Sequence, residues 1–218
     1  MTITFQDRID AGESLAGRLL DLRDRDDVIV LGLPRGGVPV AAEVARAIHA
    51  PLDILLVRKI GVPQQPELAM GAIASGDNLV LDDGLIAALS VSESEVQATI
   101  RRERAVLRDR EQRYRGDRPL PDLRNKIVVI VDDGLATGAT MRVAIQAVKQ
   151  SRPAQIVVGV PVGSPDRVRA ISREVDRVEC VSTPRGFSAV GQWYRDFRPT
   201  TDAEVIEILA EQTGGMQS

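Results

Sequence analysis

The sequence predicts an α/β fold, a parallel twisted sheet flanked by helices, and two observations carry that prediction. Short β-branched runs alternate with helical patterns along the chain, a βαβ rhythm that closes into a parallel sheet. The runs are also apolar at consecutive positions, which places helices on both faces of the strands. Crossovers in such sheets are right-handed, and ligands gather at the carboxyl ends of the strands. The loops that follow the strands are therefore where chemistry is expected. The 218 residues are read as one domain, 1–218, long enough to bury a full core.

Taken in order, a helical pattern runs from Arg8 to Leu22, and "DVIVLGL" (27–33) is the first strand. A second helix covers Val38 to Ala50, followed by the strand "LDILLVR" (52–58). The rhythm then breaks, and residues 59–118 read as a hood or satellite insertion. Within it "GAIASGDNLVLDD" (71–83) reads as two short strands joined by a Ser-Gly-Asp-Asn turn, because Gly and Asn accept the positive φ that such turns require. Ser92 with Glu95 three residues on has capping-box spacing and opens a charged helix to about Tyr114. "GDRPLPDLRN" (116–125) is an extended connection, its two prolines restricting the residues before them. The strand "KIVVIVDD" (126–133), a helix Ala139 to Gln150, the strand "QIVVGVPV" (155–162), a helix Pro165 to Ser172 and the strand "RVECVST" (177–183) complete the sheet.

Composition narrows the function classes. The chain is 44% hydrophobic and 27% charged with a net charge of −3, so no global pull toward nucleic acid or an anionic membrane is expected. One cysteine, Cys180, excludes an internal disulfide framework and a cysteine-rich zinc site. No apolar run approaches the roughly 20 residues needed to span a bilayer. The first residues, "MTITFQDRIDAGESL", lack the basic-then-apolar order of a signal peptide, and a cytoplasmic protein is expected.

The most informative loop is "VVIVDDGLATGATM" (128–141), a buried strand ending in two acids and a Gly/Thr turn into a helix. Such a turn aims several unpaired N–H groups at one point and adds the positive end of the helix dipole, which makes a phosphate cradle. Thr137 and Thr140 can add hydroxyl donors, and small Gly138 and Ala139 let an anion approach the backbone. The acids would repel that phosphate, so they serve a neighbouring part of the ligand, either sugar hydroxyls or bound Mg²⁺.

This stretch resembles the phosphoribosyl pyrophosphate motif of the type I phosphoribosyltransferases: four apolar residues, two acids, a short spacer, then Thr-Gly-x-Thr. The resemblance implies that Asp132 and Asp133 meet the ribose hydroxyls, with Mg²⁺ as cofactor held by the same pair directly or through water. It implies that the run Ala136, Thr137, Gly138, Ala139 and Thr140 holds the 5-phosphate, with Gly134 also among the donor-binding residues. It covers about 27–183 well and the insertion poorly. "GLPRGGVPVAAEVA" (32–45) is similar to the family's pyrophosphate loop, with Pro34, Arg35, Gly36 and Gly37 before a helix, and that loop often contains a non-proline cis peptide. Arg35 offers a fork of donors suited to phosphate oxygens.

Family members also carry a hood whose basic residues reach the pyrophosphate during reaction. In "VRKIGVPQQPELAMG" (57–71) that role falls to Arg58 and Lys59, with Arg35, as the catalytic cations; a pair of solvated cations at a strand end is the competing account. Four of the six aromatic residues, Phe187, Trp193, Tyr194 and Phe197, fall in "GFSAVGQWYRDF". Phe187, Trp193 and Tyr194 could stack on a heterocyclic acceptor, or the cluster could close the core. Gly186 and Gly191 favour a loop there.

The resemblance implies a Mg-dependent transfer of ribose 5-phosphate from phosphoribosyl pyrophosphate to a nitrogenous acceptor, a nucleobase or similar small heterocycle, with release of pyrophosphate. A homodimer stays open. No nucleophilic serine, cysteine or histidine is needed, and His49, on the second helix, is read as structural. Hypoxanthine and guanine salvage members carry an acid just before the motif's Thr-Gly, where this chain has Ala136. The overall layout is most similar to bacterial phosphoribosyltransferases of unassigned acceptor. The alternative is a regulator that senses the donor or a nucleotide. Eight arginines between Arg101 and Arg118 could meet nucleic-acid phosphates, but interspersed Glu103, Asp109, Glu111 and Asp117 fit a solvated, ion-paired face better. A phosphatase built on Asp-Asp-Gly would need its acids two positions apart, and here they are adjacent.

Overall fold

The structure is a computed structural model, and it describes residues 3–214. Five parallel strands form the main sheet in the order β2 (Leu52–Ile54), β1 (Val28–Gly32), β6 (Ile127–Val131), β7 (Gln155–Val162) and β8 (Arg177–Ser182). Helices α1 (Arg8–Ala16), α2 (Gly37–Ile48), α5 (Ala139–Gln150), α6 (Pro165–Ile171) and α7 (Asp202–Gly214) flank it. All five residues of β1 and of β6 are buried, as continuous β-branched runs require. Each fully buried aliphatic side chain contributes about 1.5–3 kcal/mol relative to exposure, which commits both strands to the sheet interior. The α/β fold of parallel strands and flanking helices is the one that the sequence predicts.

From β1 the chain passes to β2 on one side and, after the insertion, returns to β6 on the other. The order therefore reverses between β1 and β6, whose register pairs Gly32 with Val131. A crevice opens at such a switch point beyond the carboxyl ends of the two strands. The 34–37 loop and the 132–138 turn leave from those ends.

The predicted strand over 52–58 divides in two. Leu55 N–H still bonds to the Gly32 carbonyl at 3.1 Å, but Leu56 N–H donates to Ser75 Oγ at 3.1 Å and the Leu56 carbonyl receives Ser75 N–H at 2.9 Å. From there β3 (Val57–Val62) joins β4 (Gln65–Ala74) and β5 (Asn78–Leu81) in an antiparallel sheet. An unbroken apolar run cannot reveal where a strand changes sheets. The 57–71 stretch, in which the sequence places the hood cations, is mostly hairpin. It tolerates Pro66 because the extra residues of the irregular pairing lie on β4, opposite Gly61, where a side chain would lie 2.4 Å from the Pro66 carbonyl oxygen. The predicted 71–83 strand pair is present, turning through Gly76 at φ +80° and Asp77 at φ +57°.

Helices α3 (Asp83–Ala88) and α4 (Glu93–Arg115) follow. Ser92 and Glu95 form the expected capping box at the start of α4. Its far end is fixed by Arg115, buried, which donates to Asp53 on edge strand β2 at 3.1 and 3.2 Å and to the Ile54 carbonyl at 2.9 Å. The small sheet packs on α5 and α4. The arginines of α4 are largely committed: Arg104 and Arg108 pair with Asp77, Arg102 with Glu103, and Arg113 with Asp109. Helix α1 ends at Ala16, short of the predicted Leu22, because Gly17 caps it and a 3-10 turn covers Leu20–Leu22. His49 caps α2 in the left-handed region at φ +55°, with Nδ1 2.6 Å from Asp24 Oδ1, a structural role. Among the described residues no helix is long and apolar enough to cross a membrane.

Candidate functional site

Two helices start at the switch point without a capping side chain. Helix α1 is capped by Asp7, α3 by Asp82 and α4 by Ser92, each side chain accepting backbone N–H groups. Helix α2, beginning after Gly36, and α5, beginning after Gly138, receive no side-chain cap bond. The positive ends of both dipoles face the loops at the tips of β1 and β6, but in α2 the first amides are engaged, Gly37 N–H by the Leu33 carbonyl at 3.0 Å and Val38 N–H by the Arg35 carbonyl at 3.2 Å. Gly138 sits at φ +77°, the left-handed turn that brings the chain into α5, and Thr137 Oγ1 lies 3.3 Å from the Ala139 amide. Ala136, Thr137, Ala139 and Thr140 are exposed while Gly134 and Gly138 are buried, so the turn presents its small and hydroxyl-bearing positions outward.

The acids and the 34–37 loop are in contact. A side chain at Gly36 would lie 2.0 Å from Asp133 Oδ2, and one at Gly37 would lie 2.6 Å from the Val131 carbonyl oxygen and 3.1 Å from Asp132 Oδ1. Both positions are therefore confined to glycine by the neighbouring strand tip, for packing and not for φ: Gly36 has φ −62°. The peptide between Pro34 and Arg35 is cis. Gly36 and Gly37 thus lie against the two acids, although about 95 residues of sequence separate them.

The two carboxylates differ in environment. Asp133 Oδ2 accepts Nε and Nη2 of Arg8 at 2.9 and 2.8 Å. Asp132 Oδ1 accepts the Asp133 amide at 2.9 Å, and no ion pair to Asp132 is found among the described residues. Burial, and then the neighbouring Asp133 charge, push the Asp132 carboxyl well above its ordinary value. Burial raises Asp133 also, against the pull of Arg8. An acid of raised proton affinity without a cation is suited to receive a hydroxyl hydrogen or a metal ion. Two carboxylates at one strand tip fit Mg²⁺, which takes one or two protein carboxylates and completes its shell with water and substrate phosphates. Among the described residues no group of three or more acidic, histidine or cysteine side chains could hold a metal by itself.

Sequence reasoning missed Arg8, which lies 125 residues before Asp133. Its guanidinium sits 4.1 Å over the Phe197 ring and donates Nη1 to the Arg198 carbonyl at 2.8 Å. Tyr194, beside it, is buried, and its hydroxyl donates to the Asp133 carbonyl at 2.6 Å. Tyr194 packs on Phe5 and Phe197 with ring centroids 5.6 and 5.0 Å apart, and the backbone at Phe5 bridges to residues 193–195. For Tyr194 the core-closing account describes what the structure places there, since its face is taken up by neighbours. Phe187 and Trp193 stack on each other at 6.5 Å and are half-buried, and Val190 of the same segment lies against Gly134. Residues Val190–Trp193 form a 3-10 turn inside an otherwise irregular stretch.

The three cations singled out by sequence are not gathered at the acids. Arg35 Nη1 points to Asp202 Oδ1 at 3.4 Å. Arg58 is held by Glu103 of α4, Nη2 to Oε2 at 2.6 Å, and Lys59 by Glu67 across the β3–β4 hairpin at 2.7 Å. Among the described residues no hydrogen bond or ion pair joins Arg58 or Lys59 to the strand-tip loops. Among the described residues Glu67, whose side chain is 97% exposed, is engaged only by that lysine, which lowers its carboxyl below the usual range.

Comparison with known proteins bears on this geometry. Residues 4–193 match the family model described as the phosphoribosyl transferase domain. Two Mycobacterium tuberculosis proteins, "Putative phosphoribosyl transferase Rv0571c" of strain H37Rv and its counterpart in strain CDC 1551, are 46% identical over 205 residues. The alignment covers 94% of this chain and 46% of each of those proteins, so the chain spans about half the length of the curated relatives it matches. The crystal structure of the protein TT1426 from Thermus thermophilus superposes with a TM-score of 0.84 at 44% identity, covering 96% of this chain and 99% of that one.

Proposed function

The chain belongs to the phosphoribosyl transferase domain family, and on that footing we propose that it moves ribose 5-phosphate from phosphoribosyl pyrophosphate to a ring nitrogen of a small heterocyclic acceptor, releasing pyrophosphate. The observation that carries this reading is the meeting of the 34–37 loop and the α5 N-terminus at one switch point, with two carboxylates between them. A donor with a phosphate at one end, a pyrophosphate at the other and a diol between them is complementary to that arrangement.

Each loop then has one task. The α5 amides with Thr137 and Thr140 receive the 5-phosphate, and the Asp132 and Asp133 carboxylates accept hydrogen bonds from the sugar hydroxyls. The 34–37 loop, with the α2 N-terminus and Arg35, receives the pyrophosphate. The C1–O bond to pyrophosphate breaks as the acceptor nitrogen attacks C1, and positive charge develops on the sugar. Catalysis is then positioning together with electrostatic stabilisation of the leaving group. Mg²⁺, when bound, would neutralise pyrophosphate charge, with Asp132 and Asp133 the residues that would hold it. Lys59 is the hood cation freer to reach the leaving group, because its partner Glu67 is a solvated carboxylate, whereas Arg58 is held by the buried Glu103.

The half-buried stack of Phe187 and Trp193 supports a planar heterocycle as acceptor. Ala136, in place of an acid, speaks against the hypoxanthine and guanine type. The nucleic-acid-binding alternative gains no support, since most arginines of α4 already pair with acids. The test is a screen of nucleobases and small heterocycles with donor and Mg²⁺, read as pyrophosphate release. Release that depends on one acceptor and is lost in Asp133→Ala is expected; donor binding unchanged by Asp133→Ala would reject the site.

A further inference from the structure

Asp202, the first residue of α7, joins three side chains that sequence reading treats separately. Its Oδ1 accepts the Tyr114 hydroxyl at 2.6 Å and lies 3.4 Å from Arg35 Nη1, while Oδ2 accepts Arg113 Nη1 at 3.2 Å. Tyr114 and Arg113 end the long helix α4, and Arg35 lies in the loop after β1. One carboxylate therefore ties the end of the insertion to the loop that faces the switch point.

The three links are unequal. Tyr114 is buried at 6% exposure, and burial, with Asp202 beside it, pushes its hydroxyl up to about 12, so it remains a donor throughout the physiological range. The Arg35 link is the longest of the three and uses one nitrogen of a side chain that is 51% exposed. An exposed single contact of this kind is weak, and a polyphosphate can offer the same guanidinium two oxygens in parallel. The Arg35 contact is the one that an incoming anion would displace, leaving Asp202 with Tyr114 and Arg113.

We propose that Asp202 is a positioning residue for the pyrophosphate loop: it parks Arg35 against the end of α4 and gives it up when a pyrophosphate group occupies the loop. The inference rests on the reading of Arg35 as a pyrophosphate contact. Pyrophosphate then competes with Asp202 for one guanidinium, and the parked state lowers the affinity of the loop for leaving group and product alike. Departure of pyrophosphate lets Arg35 return to Asp202, which links release of product to the end of α4.

The test is calorimetry with pyrophosphate and Mg²⁺ at fixed ionic strength on the wild type, Asp202→Asn, Arg35→Ala and the double variant. Asparagine keeps an oxygen for the Tyr114 hydroxyl and removes the charge, so an unchanged melting temperature reports an intact fold. Asp202→Asn is expected to bind pyrophosphate about two- to fivefold tighter, the range set by an exposed ion pair. The same change in the Arg35→Ala background is expected to have no effect, and Asp202→Glu to return toward wild-type affinity. Asp202→Asn that binds no tighter, or tightens equally without Arg35, overturns the inference while Arg35→Ala still weakens binding. Arg35→Ala binding as wild type overturns the pyrophosphate reading of the loop and the parking role with it.

Discussion

Arg8, in the first turn of α1, donates from two of its nitrogens to a single oxygen of Asp133, across 125 residues of sequence. The pair is shielded on one side by Phe197, over which the guanidinium lies at 4.1 Å, and is largely buried, with 11% of the Arg8 side chain and 16% of that of Asp133 exposed. The second acid of the strand-tip pair is thus held in place by a cation near the start of the chain, while the first has none among the described residues.

Arg8→Ala is expected to lower stability by about 3 kcal/mol, because it leaves a mostly buried carboxylate without its partner. Urea denaturation of the two proteins measures the difference. Arg8→Lys should recover only part of it, since an ammonium cannot reproduce two N–H donors and the stacked plane. A loss within the noise of the extrapolation would mean that water or another group replaces the guanidinium.

Asp132→Asn should separate stability from binding. A carboxyl whose folded value is raised holds its proton more tightly in the folded state, so the associated stability is complete below the unfolded titration and is lost as pH rises through the folded one. At pH 7 asparagine copies the neutral form, and the variant should melt above the wild type. That advantage should shrink as the pH falls from 7 toward about 4 and stay constant below it, where the carboxyl is protonated in both states. Donor affinity should fall about ten- to a hundredfold, the loss expected when hydrogen bonds to a charged group are removed. A lower melting temperature at pH 7 combined with normal donor binding would contradict both halves.

Two glycines should fail for different reasons. At Gly36 an added Cβ meets Asp133 Oδ2 at 2.0 Å, so Gly36→Ala must push the acid away from Arg8; a cost of about 1–3 kcal/mol is expected for such overpacking. At Gly138 the nearest neighbour to an added Cβ is Leu135 Cδ1 at 3.7 Å, and the difficulty is φ +77°, for which alanine costs about 1–2 kcal/mol. Gly138→Asn should therefore be milder than Gly138→Ala, while Gly36→Asn should be no milder than Gly36→Ala. Thermal melts of the four variants decide it, and the reverse ranking would overturn the assignment.

Cys180 should be nearly inert in the folded protein. Burial pushes its thiol up to about 11, and its Sγ–H donates to the Ser182 carbonyl at 3.2 Å. Below the ordinary thiol value both states are protonated; between that value and the folded one the unfolded chain loses its proton first, so stability declines as pH rises through the folded titration. At pH 8 alkylation with iodoacetamide should run about a hundredfold slower than in guanidinium, because the thiolate is the reacting form. Comparable rates in the two states would place Cys180 in solvent.

The core of the sheet was legible because its signals are local. The span of β7 and that of α5 match their patterns end to end, and β6 ends where two acids follow five buried aliphatics. The Ser92–Glu95 capping box was equally visible, because both partners lie within one turn. The insertion was harder to read. Its hairpin uses Gly61 and Pro66 in a bulged pairing, and both residues normally argue against a strand. The division of 52–58 between two sheets depended on Ser75, which bonds Leu56 from 19 residues away.

By itself the sequence located the two strand-to-helix loops at the switch point, because a glycine-rich turn between a β-branched run and a helical pattern is a local signal, and an Asp-Asp pair at a strand tip is read directly. Only the tertiary structure decided what those loops touch. Arg8 on Asp133, Tyr194 under the same residue and Asp202 on Arg35 are contacts between segments more than 60 residues apart, and no periodicity or spacing encodes them. They arise because closing the sheet brings α1, the aromatic segment and α7 to the carboxyl ends of β1 and β6, where charges in a partly desolvated site must find partners.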